Sequence, residues 1–313
     1  MIVSERIGVL KQTVRANGTE LYCEQRGSGP PVLFIAGATG DAGHFEGVAA
    51  QLADQFTVVT YDRRGNSRSP APDGWTNTSI EEQADDAAGL ITTLGLKPVG
   101  VFVTSGGGAI GLELVRRHPD LVVGAVLHEP FLPHVLGDQW AQIDAHNRAT
   151  FCPILAARGP RAPMEAILRA MRGDAGFEAL DEALRERMLG NAEAFLLEDA
   201  PYPRYWPDDA ALSAIRHPVH VLLGEAGAPW APQMAVWLAR RLGTEVACVP
   251  GGHGAYLDES ERLAAALRPH LRAITRVFDH VPADESADPC NYAAYDFALE
   301  QPEYARWLQE GPT

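Results

Sequence analysis

At 313 residues and a formal net charge of −15, the chain has no surplus of Lys and Arg with which to neutralise phosphates, which argues against nucleic acid and anionic membrane surfaces as partners. Cys23, Cys152, Cys248 and Cys290 lie far apart, with no CxxC pair and no Cys/His spacing suited to zinc, so reduced thiols and a cytoplasmic protein without a metal site are expected. Glu5 and Arg6 stand where a signal peptide needs an apolar stretch, and no segment approaches the roughly eighteen apolar residues of a membrane span, so neither secretion nor insertion is expected.

In chain order, residues 8–25 read as two short strands joined at Asn17-Gly18, a dipeptide that tolerates the positive φ of a tight hairpin. PVLFIAG (31–37) is a continuous apolar run suited to a buried strand, and GHFEGVAAQLADQF (43–56) is expected to be helical. The strand TVVTYD (57–62) follows, then the loop RRGNSRSPAPDGWTNT. Ser79 is placed to cap a helix, with Glu82 as its partner in a capping box. VGVFVTS leads through a glycine run into an amphipathic helix, and VVGAVLHEP (122–130) is another buried strand. From 131 to 213 there are helix patterns but no strand, which reads as an inserted helical cap. The alternation resumes with PVHVLLGE (218–225), a helix, EVACVPGGH (245–253) and a last helix ending near 278. Strands alternating with helices in this rhythm define an α/β fold with a mostly parallel sheet. Its core is expected from residues 1–130 and 214–278, with the cap at 131–213 and a C-terminal extension of no assigned role at 279–313.

The chemistry centres on Ser105, where an apolar run stops at a hydroxyl and a helix begins. A serine on a tight strand-to-helix turn has its hydroxyl held clear of the sheet, provided small residues flank it. Gly106, Gly107 and Gly108 supply these on one side; on the other, Val103 stands where the G-x-S-x-G pattern has glycine. A serine hydroxyl needs a base, usually histidine. His253 is the choice, because CVPGGHGAYLD puts it in a glycine-flanked loop at the carboxyl end of the last strand, the sheet edge that also carries Ser105. His118, His217, His220, His270 and His280 lie on or beside helices and strand starts, where surface or structural roles suit them better.

The carboxylate that would orient the imidazole is less obvious. Its usual place after the PVHVLLGE strand, at G-x-x-D spacing, reads Gly224, Glu225, Ala226, Gly227, with no aspartate. Glu129, ending the strand after the Ser105 helix, is therefore expected to be the acid, with Glu225 as the alternative. The oxyanion would be met by the backbone N–H of Gly106 and, from the FIAGATG loop, of Ala38.

With these residues in place the chain resembles the α/β-hydrolase superfamily over roughly residues 14–272, through RGSGPP, VLFIAG, YDRRGNSRS, VTSGGG, RRHPD, LHEP and VPGGHGAYLD in that order. Within it, the chain is most similar to the zearalenone lactonase group, through NGTELYCEQRGSGP, SRS, LHEP and the YPR of the cap. The resemblance implies an eight-stranded sheet and a triad of Ser105, His253 and Glu129, because that group also lacks the later aspartate and uses a glutamate. It places Phe195 at the cap position where the group carries a substrate-contacting tryptophan.

The resulting expectation is a cofactor-free, metal-free serine hydrolase acting on a small apolar ester or lactone, aromatic or macrocyclic, as a monomer or homodimer. Phe131, Phe195, Tyr202, Tyr205 and Trp206, with Trp140 nearby, are the cap aromatics expected to meet substrate. A carbon–carbon bond hydrolase of the same fold, or a ligand receptor or tailoring cyclase that lost hydrolysis, remain as alternatives.

Overall fold

A computed structural model describes residues 8–199 and 201–280; the acidic extension from 281 onward, with Cys290, lies outside them. The hairpin around Asn17-Gly18 forms from β1 (Val9–Ala16) and β2 (Thr19–Arg26), with Asn17 at φ +44°. β3 (Pro31–Ile35) and β4 (Thr57–Tyr61) flank α1 (Glu46–Leu52), which is shorter than expected. The residues before it are drawn into a 3-10 turn, Ala42–Phe45, capped by the Asp41 carboxylate on the Gly43 N–H.

α2 (Ile80–Thr93) begins at Ser79, whose hydroxyl accepts from the Glu82 N–H at 3.0 Å. The capping box is only half made: the Glu82 carboxylate instead accepts from Thr78 at 2.8 Å and pairs with Arg64 at 2.9 Å, since a full guanidinium charge outcompetes a single backbone N–H. β5 (Val99–Thr104), α3 (Gly107–Arg117) and β6 (Val122–His128) follow as one strand–helix–strand unit.

Between β6 and β7 the described residues hold no strand, only 3-10 turns and α4 (Asp138–Arg158), α5 (Arg161–Glu178), α6 (Glu182–Gly190), α7 (Ala192–Asp199) and α8 (Asp209–Ser213). The α/β alternation then closes with β7 (Val219–Ala226), α9 (Ala231–Leu242), β8 (Val246–Gly252), the short α10 (Ala255–Asp258) and α11 (Ser260–Ile274). Among the described residues no helix is long and apolar enough to cross a membrane, and Cys23, Cys152 and Cys248 are free.

The eight strands form one sheet in the order β1-β2-β4-β3-β5-β6-β7-β8, antiparallel at β1/β2 and β2/β4 and parallel elsewhere. Every residue of β3, β4, β5 and β6 is buried, as parallel strands covered on both faces require. The two-residue alternation splits the core. Leu33, Ile35, Val101 and Val103 face the layer of α2, α3 and α9, while Val32, Phe34 and Phe102 face α1 and α11.

On the second side the rings of Phe34, Phe45 and Phe102 pack with centroids 4.8–5.8 Å apart, in the edge-on and tilted arrangements that aromatic quadrupoles favour. This trio seats β3 and β5, whose carboxyl ends carry the loops described next. Phe34→Ala should therefore cost about 3–5 kcal/mol of unfolding free energy in urea titration, with the far-UV spectrum unchanged.

Candidate active site

Ser105 follows β5 directly and has φ +54°, in the left-handed region where a non-glycine residue is strained. Three backbone hydrogen bonds hold it there. Its N–H donates to the His128 carbonyl at 3.1 Å, and its own carbonyl accepts from Gly108 at 2.8 Å and Phe131 at 2.9 Å. The valine at the usual glycine position is accommodated from the other partner of the contact: a Cβ on Gly111 of α3 would lie 2.5 Å from Val103 Cγ1. The small residue that strand and helix need for close approach has moved onto the helix.

Glu129 ends β6 in the same way, with φ +45° and its N–H donating to the Leu222 carbonyl at 2.9 Å. Its fully buried carboxylate crosses under β7, where Oε1 accepts from the Gly224 N–H at 3.1 Å and Oε2 from the Ala228 N–H at 3.2 Å. Oε2 also lies 2.7 Å from Nδ1 of His253. The missing aspartate now has a physical explanation. A Cβ on Gly227 would stand 2.1 Å from Glu129 Oε1, so the glutamate fills the space that a side chain at 227 would occupy. Glu225 is exposed near the end of β7, and the partner of His253 is Glu129.

Burial alone would raise the pKa of Glu129. The hydrogen bond and charge of His253, then His128 and the Ala228 N–H, outweigh it and hold the carboxyl below its usual range. His128, packed behind, is pushed down to about 4 by burial, with Glu129 opposing and His253 assisting. The other imidazole nitrogen, Nε2 of His253, is buried and has no hydrogen-bond partner among the described residues. The Trp230 ring meets the imidazole edge-on at 5.0 Å between centroids.

His253, Ser105 and Ala38 line one cavity of about 510 Å³. Neither the N–H of Ala38 nor that of Gly106 is drawn into a hydrogen bond among the described residues. The opposite wall comes from the helical insert, with Met164, Leu168 and Met171 of α5, Met188 of α6 and Phe195 of α7. α5 is kinked at Gly173 (φ +70°), and beside the kink Arg172 pairs with Asp258 across the cavity rim.

Of the cap aromatics expected to meet substrate, Phe195 alone lines this cavity. Phe131 and Tyr202 stand in a cluster behind it. Phe131 packs on Trp140, Tyr202 and Trp230 with centroids 5.1–5.8 Å apart, and the Tyr202 hydroxyl lies where a Cβ on Gly106 would be, at 2.5 Å. Tyr205 turns inward and donates its hydroxyl to the buried Glu113 at 3.2 Å. Trp206 is 59% exposed, its ring tilted against that of His134 with centroids 4.2 Å apart. Aromatic content identified the insert as ring-rich without saying which way the rings face. Trp230 and Tyr256 also line the cavity and were not anticipated, because neither lies within the insert.

A second arrangement that sequence patterns did not reveal lies beside Ala38. Arg63 is buried and paired with Glu198 of α7 at 2.6 and 2.9 Å; it bonds Gln83 and donates to the Gly37 carbonyl at 2.6 Å. Among the described residues no group of three or more His, Cys, Asp or Glu is disposed to hold a metal ion.

A paired Glu and His, the second imidazole nitrogen left without a partner among the described residues, and a serine on a strained turn at the same sheet edge are the parts that acyl-transfer hydrolases use. The chain belongs to the α/β-hydrolase family, whose pattern it matches over residues 30–260. It is 34% identical over 262 residues to an uncharacterized hydrolase, YraK, of Bacillus subtilis (strain 168), covering 80% of this chain and 93% of that one. It is 26% identical over 256 residues to the zearalenone hydrolase of Bionectria ochroleuca, covering 79% and 92% of the two chains. Among solved structures, a thermophilic esterase from Thermogutta terrifontis superposes with a TM-score of 0.66 at 24% identity, over 86% of this chain and 99% of that one.

The site makes two predictions. Gly227→Ala places a methyl against Glu129 Oε1, so the downfield proton resonance of the Glu129–His253 hydrogen bond should disappear from the NMR spectrum while the far-UV spectrum is kept. His128, whose ordinary value is 6.5, is held near 4 in the fold, so between those values the unfolded chain binds more protons and stability rises with pH. The urea midpoint should therefore fall as pH drops from about 6.5 towards 4, and His128→Asn should flatten part of that slope.

Proposed function

We propose that the protein is a serine hydrolase that opens a carboxylic ester or lactone through an acyl-enzyme, with Ser105 as nucleophile, His253 as general base and Glu129 as the acid that orients it. The observation that carries the reading is the 2.7 Å contact between Glu129 Oε2 and His253 Nδ1, which leaves Nε2 as the proton-accepting nitrogen of a residue that lines the same cavity as Ser105. Ser105 Oγ adds to the substrate carbonyl as Nε2 takes its proton. The oxyanion accepts from the N–H groups of Ala38 and Gly106, beside the positive end of α3.

Collapse of the tetrahedral adduct breaks the carbon–oxygen bond, and His253 returns the proton to the leaving alkoxide. For a lactone that alkoxide stays tethered to the acyl group. Water, deprotonated by His253, then attacks the acyl-enzyme, and the acid is released with Ser105 protonated again. Throughout, the buried Glu129 carboxylate stabilises the imidazolium.

An apolar substrate is supported by the methionine, leucine and phenylalanine wall, and a lactone by the likeness to a zearalenone hydrolase. Epoxide opening, the reaction named for some chains of this fold, calls for a carboxylate nucleophile, and position 105 holds a hydroxyl.

A fluorophosphonate should label Ser105, and Ser105→Ala should abolish both labelling and turnover of aryl esters and resorcylic macrolactones. Glu129→Ala should lower kcat by about 10⁴-fold, and Glu225→Ala by no more than a few-fold. Full activity in Ser105→Ala would refute the assignment.

A further inference from the structure

We propose that Asn191, on the helical insert between α6 and α7, is a positioning residue for the loop that presents the Ala38 N–H, so that seating of the insert is coupled to oxyanion stabilisation. The inference rests on the serine-hydrolase reading above and adds to it the part of the chain that sets the oxyanion donor.

The loop after β3 lies directly on the nucleophile turn. A Cβ on Gly37 would be 2.6 Å from Ser105 Cβ and 3.2 Å from the Gly106 nitrogen. Immediately after Ala38, Thr39 has φ +63°, a conformation that a β-branched residue holds only when its surroundings impose it. The imposed contact comes from the insert: Asn191 Nδ2 donates to the Thr39 carbonyl at 2.7 Å. The same amide secures a second strained residue. Its Oδ1 accepts from the N–H of Ser67, at φ +50°, at 2.6 Å, and its Nδ2 donates to the Ser67 hydroxyl at 2.9 Å. One buried side chain thus pins two left-handed, non-glycine residues on adjacent loops.

Flanking contacts bracket the same loop. Arg187 of α6 reaches Asp41 at 2.7 Å, and the Ser67 hydroxyl donates to that carboxylate at 2.6 Å. Arg63, held by Glu198 of α7, donates to the Gly37 carbonyl at 2.6 Å, and its own N–H to the Gly40 carbonyl at 2.8 Å. The loop from Gly37 to Asp41 is therefore tied to the insert on both sides of Ala38. Release of Asn191 lets Thr39 return to an ordinary φ, which rotates the Ala38–Thr39 peptide and, through Ala38, displaces the Gly37–Ala38 peptide whose N–H is to face the reacting carbonyl.

The experiment compares Asn191→Ala, which removes every contact, with Asn191→Asp, which keeps the acceptor for Ser67 and loses the donor to Thr39. Each is assayed for kcat and KM on an aryl ester, and for binding of an aryl trifluoromethyl ketone, which forms a tetrahedral oxyanion on serine, against that of the matching aryl alcohol. Both variants are expected to lose about 10- to 100-fold in kcat, the scale of a misplaced oxyanion donor. Trifluoromethyl ketone affinity should fall in parallel, while KM and alcohol affinity stay within about threefold, a split that general damage to the fold would not produce.

Undiminished kcat and ketone affinity in the folded variants would overturn the proposal, as would equal losses for ketone and alcohol. If neither Asn191 variant folds, Arg187→Met, which releases the same loop through Asp41 from a half-exposed position, is held to the same two outcomes. Turnover by Ser105→Ala would defeat the serine reading itself. An inactive Ser105→Ala beside a fully active Asn191→Asp would defeat the positioning role alone.

Discussion

The hydrogen bond between Glu129 and His253 is the contact on which the rest of the site depends. It joins the end of β6 to the loop after β8, spanning β7, and it works because three other groups agree with it: the Gly224 and Ala228 N–H donors and the absent side chain at Gly227. A carboxylate excluded from water is stable only when its lone pairs are met, and here two backbone donors and an imidazole meet them. The strained φ at Glu129 aims the side chain across the strand, and the strained φ at Ser105 aims the hydroxyl at the same edge. Both strains are absorbed by the β5–α3–β6 unit, whose hydrogen bonds and buried strands leave little freedom to relax.

Around this rigid floor the insert is attached by charge as well as by apolar contact. Arg63 and Glu198 are almost wholly buried, 1% and 2% exposed, and they lie 135 positions apart in sequence. Removing one partner of such a pair costs roughly 3–5 kcal/mol, because it strands a charge without water. The insert has a cluster of its own, formed by Met164, Leu168, Phe177, Leu184 and Met188 with their neighbours, yet its polar feet reach the loops that carry Gly37 and Ser67. Packing defines the insert, and directional bonds define where it sits.

The succession of strands and helices in the core was legible because buried parallel strands leave continuous apolar runs and amphipathic helices leave periodic ones. Ser105, His253 and Glu129 were legible for a related reason: each follows directly on a strand, at the sheet edge where loops converge. Val103 was an anomaly only within a five-residue window, since its compensation at Gly111 lies on the helix that packs against it. The contacts of Arg63, Asn191 and Arg187 left no such trace. They depend on how the insert docks, and a polar residue on a helix has the same sequence signature whether it faces water or a strained loop. The rings of Tyr205 and Trp206 failed as expectations for the same reason, one being buried against Glu113 and the other left in solvent.

The methionines opposite Ser105 divide the cavity into halves of unequal stiffness. One half is backbone and buried charge, fixed by hydrogen bonds of definite length. The other is Met164, Met171 and Met188, unbranched thioethers on or near a helix already bent at Gly173, which can repack around a new outline at small energetic penalty. A change of outline on the insert's side can therefore be taken up there without moving the side that carries Ser105 and His253. Two surfaces of different stiffness thus share one space: a hard floor faces a pliable mould.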